Sequence, residues 1–418
     1  MSLTGGTVNL VADGNLSVQQ AIGTTNTTDS AIVLTAGKPT NAGTSAGGDV
    51  SMSGSGSLST GAGGRATIYT GSLSGSTGLG ITTGNNRYNS DESSTNYSAA
   101  LGSGTYAIYR EKPTITVLVN DASKTYDGVA FSGGSLNTTL SSGTLVNSDS
   151  FSAVTANAAL GGAAQGVKNA GQYAITASDT GGKNALGYEV TYTSGQLTIN
   201  QADLTVTANS ATKTYDGNTS ATGTGTVGTL AGAAAGDVVN SSGSQAFLTS
   251  SAGSNKTVRA SGVTIKNSAN ADMTGNYNII YTDNLTSTIN KKDVTLGNIT
   301  AAHKAYDGNT TATISAGVIS DTVGSETLLI SGSGTFDTKN VANDKTVTVS
   351  DVTTLTKTNG TGAWSNYNLT TTGAKTTTAN ITKKEVTLDS ITASNKTYDG
   401  STTATITSGS IGGTVNSE

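Results

Sequence analysis

Apolar residues along this chain come in short alternating runs, such as Leu204-Thr205-Val206-Thr207-Ala208, separated by Gly, Asn and Asp. A period of two turns one face of each run toward a core and the other toward water, and the intervening residues are those that make turns. Turn signals recur about every 8–12 residues, the rhythm of an all-β sandwich. Apolar stripes with a 3.6-residue period never exceed about two turns, so helices are not predicted. The pattern predicts an all-β chain.

The first 74 residues carry inward-looking pairs at Val8/Leu10, Leu16/Val18, Ile32/Leu34, Val50/Met52 and Ala66/Ile68, parted by turns such as Gly47-Gly48-Asp49 and Gly61-Ala62-Gly63-Gly64. Their spacing, between 24 and 16 residues, predicts successive rungs of a right-handed parallel β-helix over 1–74. Residues 75–113, with Tyr88, Tyr97, Tyr106 and Tyr109 among polar neighbours, are expected to cap and link, Pro113 marking the boundary.

Beyond that point the sequence repeats. A corner of the form Lys-x-Tyr-Asp-Gly occurs four times: Lys124, Tyr126, Asp127 and Gly128; Lys213, Tyr215, Asp216 and Gly217; Lys304, Tyr306, Asp307 and Gly308; Lys396, Tyr398, Asp399 and Gly400. The tyrosines follow one another at 89, 91 and 92 residues. Tyr188, Tyr277 and Tyr367 recur in the same phase, the last two inside Asn276-Tyr277-Asn278 and Asn366-Tyr367-Asn368. Joining strings complete the register: Ile199-Asn200-Gln201-Ala202-Asp203-Leu204, Ile289-Asn290-Lys291-Lys292-Asp293-Val294 and Ile381-Thr382-Lys383-Lys384-Glu385-Val386. They predict modules at 114–202, 203–292 and 293–384, with 385–418 opening a further one. About 90 residues suits an Ig-like, Greek-key β-sandwich, and the short joins predict an elongated rod.

Each corner reads first as architecture. Asp-Gly between strands makes a turn in which the carboxylate accepts backbone N–H groups and Gly supplies positive φ. The tyrosine is expected to anchor the turn in the module's own core, with the lysine stem beside its ring and the ammonium in water.

Composition removes several chemistries. The 418 residues include 55 Gly, 2 Pro and 0 Cys, with 12% charged residues and a net charge of −5. Without cysteine there is no disulfide, thiolate metal site or cysteine nucleophile. Lysine and arginine, 22 together, form no basic cluster, so nucleic acid is not an expected partner. No apolar run of about 18 residues exists to span a bilayer, and membrane insertion is not expected. The first residues lack a basic segment followed by an apolar one, so the start reads as a cut into a longer protein.

The single histidine, His303, occupies a slot filled elsewhere by Ser123, Thr212 and Asn395, and reads as a solvated polar residue. No nucleophile elbow or metalloprotease helix motif appears, so an enzyme is not expected. Calcium is weighed because it often rigidifies β-module joints, yet Asp203, Asp293 and Glu385 stand singly where six to eight oxygen ligands are needed. No cofactor is predicted. Trp364, before Tyr367 in one module only, is the candidate ligand contact, with core or edge packing as its other reading.

The corners, with the downstream Asn-Tyr-Asn and the Ile-Asn-Lys-Lys-Asp-Val joins, resemble the YDG repeats of large bacterial surface adhesins at 203–292 and 293–384. The first module is similar to the bacterial Ig-like MBG module through Asn169-Ala170-Gly171-Gln172-Tyr173-Ala174-Ile175-Thr176-Ala177, Tyr188-Glu189-Val190-Thr191-Tyr192 and Gly195-Gln196-Leu197-Thr198-Ile199. The N-terminal rungs resemble the end of the β-helical shaft in filamentous-haemagglutinin-like exoproteins. The resemblance implies two-partner secretion through an outer-membrane transporter. It also implies a place outside a Gram-negative cell, on its surface or secreted, and a structural or adhesive stalk role in cell adhesion or biofilm. The receptor would be a glycan or protein of a host cell, a bacterial cell or a matrix. The alternative is an array of glycan-binding modules recognising host or matrix polysaccharide.

Overall fold

The computed structural model describes residues 2–416 and 418. Strands take 47% of the chain and helix 5%. The chain divides into two compact bodies: residues up to Asp203 with Leu230–Val238 and Ile265–Asn278, and Leu204–Thr229 with Val239–Thr264 and Ile279–Glu418.

In the first body the N-terminal residues build three stacks of parallel strands. Val8–Ala12, Ile32–Ala36, Arg65–Thr70 and Gly104–Tyr109 pair in that order, with Val8 against Ile32, Ile32 against Ala66 and Ala66 against Thr105. Leu16–Val18 pairs with Val50–Met52. Ile22–Thr24 lies between Ser2–Leu3 and Leu58–Ser59. Val8, Ile32 and Ala66 stack in one buried column and Leu34 and Ile68 in the next, so like residues shield like residues from water.

Two expectations change here. The five apolar pairs are not five rungs of one column, because Leu16/Val18 and Val50/Met52 belong to a second stack. The repeat within the first stack is 24, 34 and 39 residues, lengthened by Gly-rich loops that period-counting cannot separate from rungs. The stretch expected only to cap and link also extends the sheet, through Gly104–Tyr109 with Asn86–Arg87 paired beside it. Its tyrosines serve packing: Tyr97 and Tyr106 lie 5.6 and 5.4 Å from the Arg87 guanidinium, and Tyr88 stacks on Tyr109.

Residues 114–202 form two sheets, which fits a β-sandwich. Thr114–Val119 lies between Leu136–Gly143 and Glu189–Thr193, and alternation buries Ile115, Val117 and Val119. The second sheet runs Ala122–Thr125, Gly195–Asn200, Gly171–Asp179, Ala158–Gly161.

In the second body, Thr212–Thr214 pairs parallel with Asn284–Asn290, which Gly253–Lys266 joins antiparallel. Residues 293–384 depart from two separate sheets. Lys292–Ala301, Thr311–Ser320, Leu328–Phe336, Ala342–Val349 and Lys375–Thr382 belong to a single eight-stranded sheet. Register shifts such as that between Leu296 and Ile299 bend these long strands, so one curled sheet wraps Ile314, Ile330, Phe336, Val347 and Ile381. Thr387–Ala393 and Ile406–Gly412 form a hairpin that leaves Leu388, Ile391, Ile406 and Ile411 exposed.

Candidate functional site

The four corners fold alike. Oδ1 of Asp127, Asp216, Asp307 and Asp399 accepts the N–H two residues on, at 2.9, 3.1, 3.2 and 2.9 Å. Gly128, Gly217, Gly308 and Gly400 hold φ between 74° and 79°, a region that disfavours any side chain. A Gly217→Ala change is therefore expected to lower stability by about 1–2 kcal/mol, read from the denaturant midpoint. An unchanged midpoint would mean the turn relaxes freely.

The lysines differ from expectation. Instead of extending into water, each ammonium closes a ring over its turn. Lys213 Nζ donates to Asp216 Oδ1 at 2.7 Å, Asn218 O at 2.7 Å and Asn218 Oδ1 at 2.9 Å. Lys304 does the same with Asp307 and Asn309, Lys124 with Asp127 and Val129, and Lys396 with Asp399 and Ser401. The ring beside the lysine is a phenylalanine: Phe247 for Lys213 and Phe336 for Lys304. The lysine hydrogen bond holds Asp127, Asp307 and Asp399 below the usual carboxylate range.

The tyrosines differ more. None of Tyr126, Tyr215 and Tyr306 donates its hydroxyl within its own module; each reaches a carboxylate 111 or 112 residues further on. Tyr126 Oη donates to Asp237 Oδ2 at 2.8 Å, and Tyr277 Oη donates to the same oxygen at 2.8 Å. Tyr215 donates to Glu326 Oε1 and Tyr367 to Glu326 Oε2, both at 2.7 Å. The paired rings meet edge to face, with centroids 5.5 and 5.4 Å apart. Backbone N–H groups of Gly232 and Val323 donate to the Tyr277 and Tyr367 hydroxyls, which fixes those hydroxyls as donors to the acid. The arrangement is a latch in which one carboxylate joins a corner tyrosine to the phase-locked tyrosine of the following module.

The same latch forms without a corner motif at the first module. Tyr88 and Tyr188 both donate to Asp149 Oδ2, at 2.7 and 3.0 Å, with rings 4.9 Å apart. Tyr306 donates to Glu418 Oε1 at 2.6 Å, which also accepts from Lys339. Tyr398, by contrast, is 93% exposed.

Asparagines complete each latch. Asn276 Oδ1 accepts the Ala170 N–H at 2.8 Å, and Asn366 Oδ1 accepts that of Ala252 at 2.9 Å. Asn278 and Asn368 donate to Asp203 and Asp293, which accounts for those two acids. Burial, then the hydrogen bond to the acid, pushes Tyr277 and Tyr367 up to about 12 and raises Tyr126 as well. Burial raises Asp149, against the pull of Tyr88, Tyr188 and Arg87.

The remaining candidates are occupied by the fold. Half-buried Trp364 donates its indole N–H to the carbonyls of Leu329 and Thr358, and the Lys357 ammonium lies 5.2 Å from its ring. Exposed His303 accepts the Asn380 N–H on Nδ1 at 2.8 Å, which ties the solvated ring to the sheet. Among the described residues no group of three or more His, Cys, Asp or Glu side chains is placed to hold a metal ion. No helix there is long and apolar enough to cross a membrane, which says nothing of strands.

Sequence reasoning missed Asp149, Asp237, Glu326 and Glu418. Their spacing of 88, 89 and 92 residues carried the signal, as did the Val-x-Ser-acid string shared by Val146-Asn147-Ser148-Asp149, Val323-Gly324-Ser325-Glu326 and Val415-Asn416-Ser417-Glu418, but the acid changes type and Asp237 lacks the string. No curated protein matches the chain. Residues 200–285 and 290–378 match the YDG domain, and residues 115–198 match the MBG domain of YGX type. The chain thus carries an MBG domain followed by two YDG domains.

Proposed function

We propose that this chain is a structural and adhesive stalk segment of a secreted or surface-anchored bacterial exoprotein, acting in cell adhesion or biofilm formation and without catalytic activity. The observation that carries the reading is the recurring Tyr–carboxylate–Tyr latch. It spends the most repeated polar side chains of the chain on holding consecutive modules, where a reaction would need them free. The short joins agree: one residue, Gln201, parts the strands Gly195–Asn200 and Ala202–Thr207, and one residue, Lys291, parts Asn284–Asn290 and Lys292–Ala301. Absence of cysteine suits folding after export through an oxidising periplasm.

In the finer reading, the N-terminal parallel stacks end a right-handed β-helical shaft of the filamentous-haemagglutinin type. Export runs by two-partner secretion through an outer-membrane transporter, and the receptor is a glycan or protein on a cell or matrix. The reading requires no cofactor, nucleic acid or membrane insertion of this segment.

Single-molecule pulling on the whole chain tests the stalk role. Modules of about 90 residues should unfold in separate steps, each lengthening the chain by roughly 300 Å at 3.3–3.6 Å per residue. One all-at-once extension, or extension without resistance, would sink the proposal.

A further inference from the structure

We infer that the groove beside the Tyr126–Asp237–Tyr277 latch is a binding site for an acidic sugar, holding its carboxylate at Lys168 and a hydroxyl at Asp237. The groove encloses about 320 Å³, and its walls include Tyr126, Lys168, Asn169, Asp237, Asn267 and Met273. Three of these residues have no counterpart of like chemistry at the next latch, although Asn169 Oδ1 accepts from Asn276 and Met273 Sδ lies 4.0 Å from Tyr126 Oη and 3.5 Å from Asn276 Nδ2. At the Tyr215–Glu326–Tyr367 latch, Ser250, Ser251 and Ala363 stand where Lys168, Asn169 and Met273 stand here, counted from the matching Ala252 and Asn366 contacts. The chain therefore makes a like latch with small side chains, and Lys168, which has no ion pair among the described residues, needs another reason.

Their hydrogen bonding points to a ligand that offers acceptors. Asn169 Oδ1 is taken by Asn276 Nδ2, and Asn267 Oδ1 by the N–H groups of Ala269 and Ala271. Each amide is left with its Nδ2 donors unpartnered among the described residues, and exposed Lys168 has no ion pair there. Against these donors stands one acid. Asp237 is 4% exposed and takes both tyrosine protons on Oδ2, so neither reaches Oδ1.

This mixture selects among ligands. A bare inorganic anion satisfies Lys168 but meets the Asp237 charge and offers it no proton. A neutral hexose gives Asp237 a hydroxyl but leaves the ammonium unpaired. A uronic-type sugar supplies a carboxylate for the ammonium, ring and hydroxyl oxygens for the amides, and a hydroxyl donor for Asp237. The Met273 thioether offers soft apolar contact for the C–H face of a pyranose.

The test titrates the whole chain with trigalacturonate and with cellotriose, followed by saturation-transfer NMR and calorimetry. The acidic trimer should bind at least about fivefold more tightly than the neutral one, a difference of about 1 kcal/mol. Lys168→Gln should weaken it by about fivefold or more. Asn267→Asp, which keeps the oxygen that accepts from Ala269 and Ala271 while replacing the donor with a charge, should remove it. Melting curves of both variants should match the parent, since neither group serves the latch. No saturation transfer from trigalacturonate, equal binding of the two trimers, or full displacement by equimolar sulfate would overturn the site without any variant. Unchanged affinity in both folded variants would overturn it too. Stepwise unfolding under force would be untouched by such a failure, so the stalk reading and this site fall separately.

Discussion

Replacing Asp237 with alanine should destabilise the protein by roughly 2–5 kcal/mol, because two buried tyrosine hydroxyls lose their acceptor in one change, at about 1–3 kcal/mol for each group left unsatisfied. Tyr126 and Tyr277 are 3% exposed and Asp237 is 4% exposed, so water does not take over at once. Tyr126→Phe should cost less, about 1–2 kcal/mol. It deletes one hydroxyl and leaves the carboxylate still bonded to Tyr277 at 2.8 Å. Combining the two in a double-mutant cycle should recover a coupling of at least about 0.5 kcal/mol, as expected of groups in direct contact. Denaturant midpoints at constant slope give all three quantities. If Asp237→Ala moved the midpoint no more than an ordinary surface substitution, the latch would be ornamental to stability.

The choice between aspartate and glutamate has a geometric consequence. Asp149 and Asp237 take both tyrosine protons on one oxygen, whereas Glu326, one methylene longer, receives one on each. Asp149 pays in isolation of the other atom: its Oδ1 is buried with no partner among the described residues. The loss of hydration on burial explains why this carboxyl is raised, the neutral acid being easier to bury than the anion. An Asp237→Glu exchange thus tests reach, not charge.

How far sequence reading carries is set by distance along the chain. The turn at each corner was legible because its chemistry is local: Asp127 accepts from Val129, and Gly128 turns at φ 74° between them. The alternating strands were legible for the same reason, as Val8, Ile32, Leu34 and Ile68 show by their burial. The destination of Tyr126 was not, since its partner lies 111 residues away and the equivalent acids are aspartate in two cases and glutamate in two. Tyr88 was less legible still, because it performs a corner tyrosine's task with no corner around it. The parallel stacks hid behind loops of unequal length, and Trp364 looked available until its N–H proved to be shared by Leu329 and Thr358.

Alkaline pH should dissolve the latches before it harms the strands. Tyr277 and Tyr367 are held at about 12, above the ordinary tyrosine value of 10.0, first by burial and then by the carboxylate each one donates to. A hydroxyl raised in the folded state binds its proton more tightly there than in the unfolded chain. Its contribution to stability is therefore complete below pH 10 and is lost as pH climbs from about 10 through about 12. At about 1.4 kcal/mol per unit, the ceiling is on the order of 2–3 kcal/mol for each of the two tyrosines. Asp237 and Glu326 deepen the effect, since a phenolate formed beside them would set two negative charges within hydrogen-bonding distance. Stability measured by denaturant at a series of pH values should fall across this window, in step with a late fraction of the tyrosinate absorption. The Tyr277→Phe, Tyr367→Phe double variant, already weakened at neutral pH by the lost hydroxyls, should show a flatter fall. Stability unchanged between pH 10 and 12, or a slope that the double variant keeps in full, would place the sensitive groups elsewhere and deny the latches their part in holding the modules.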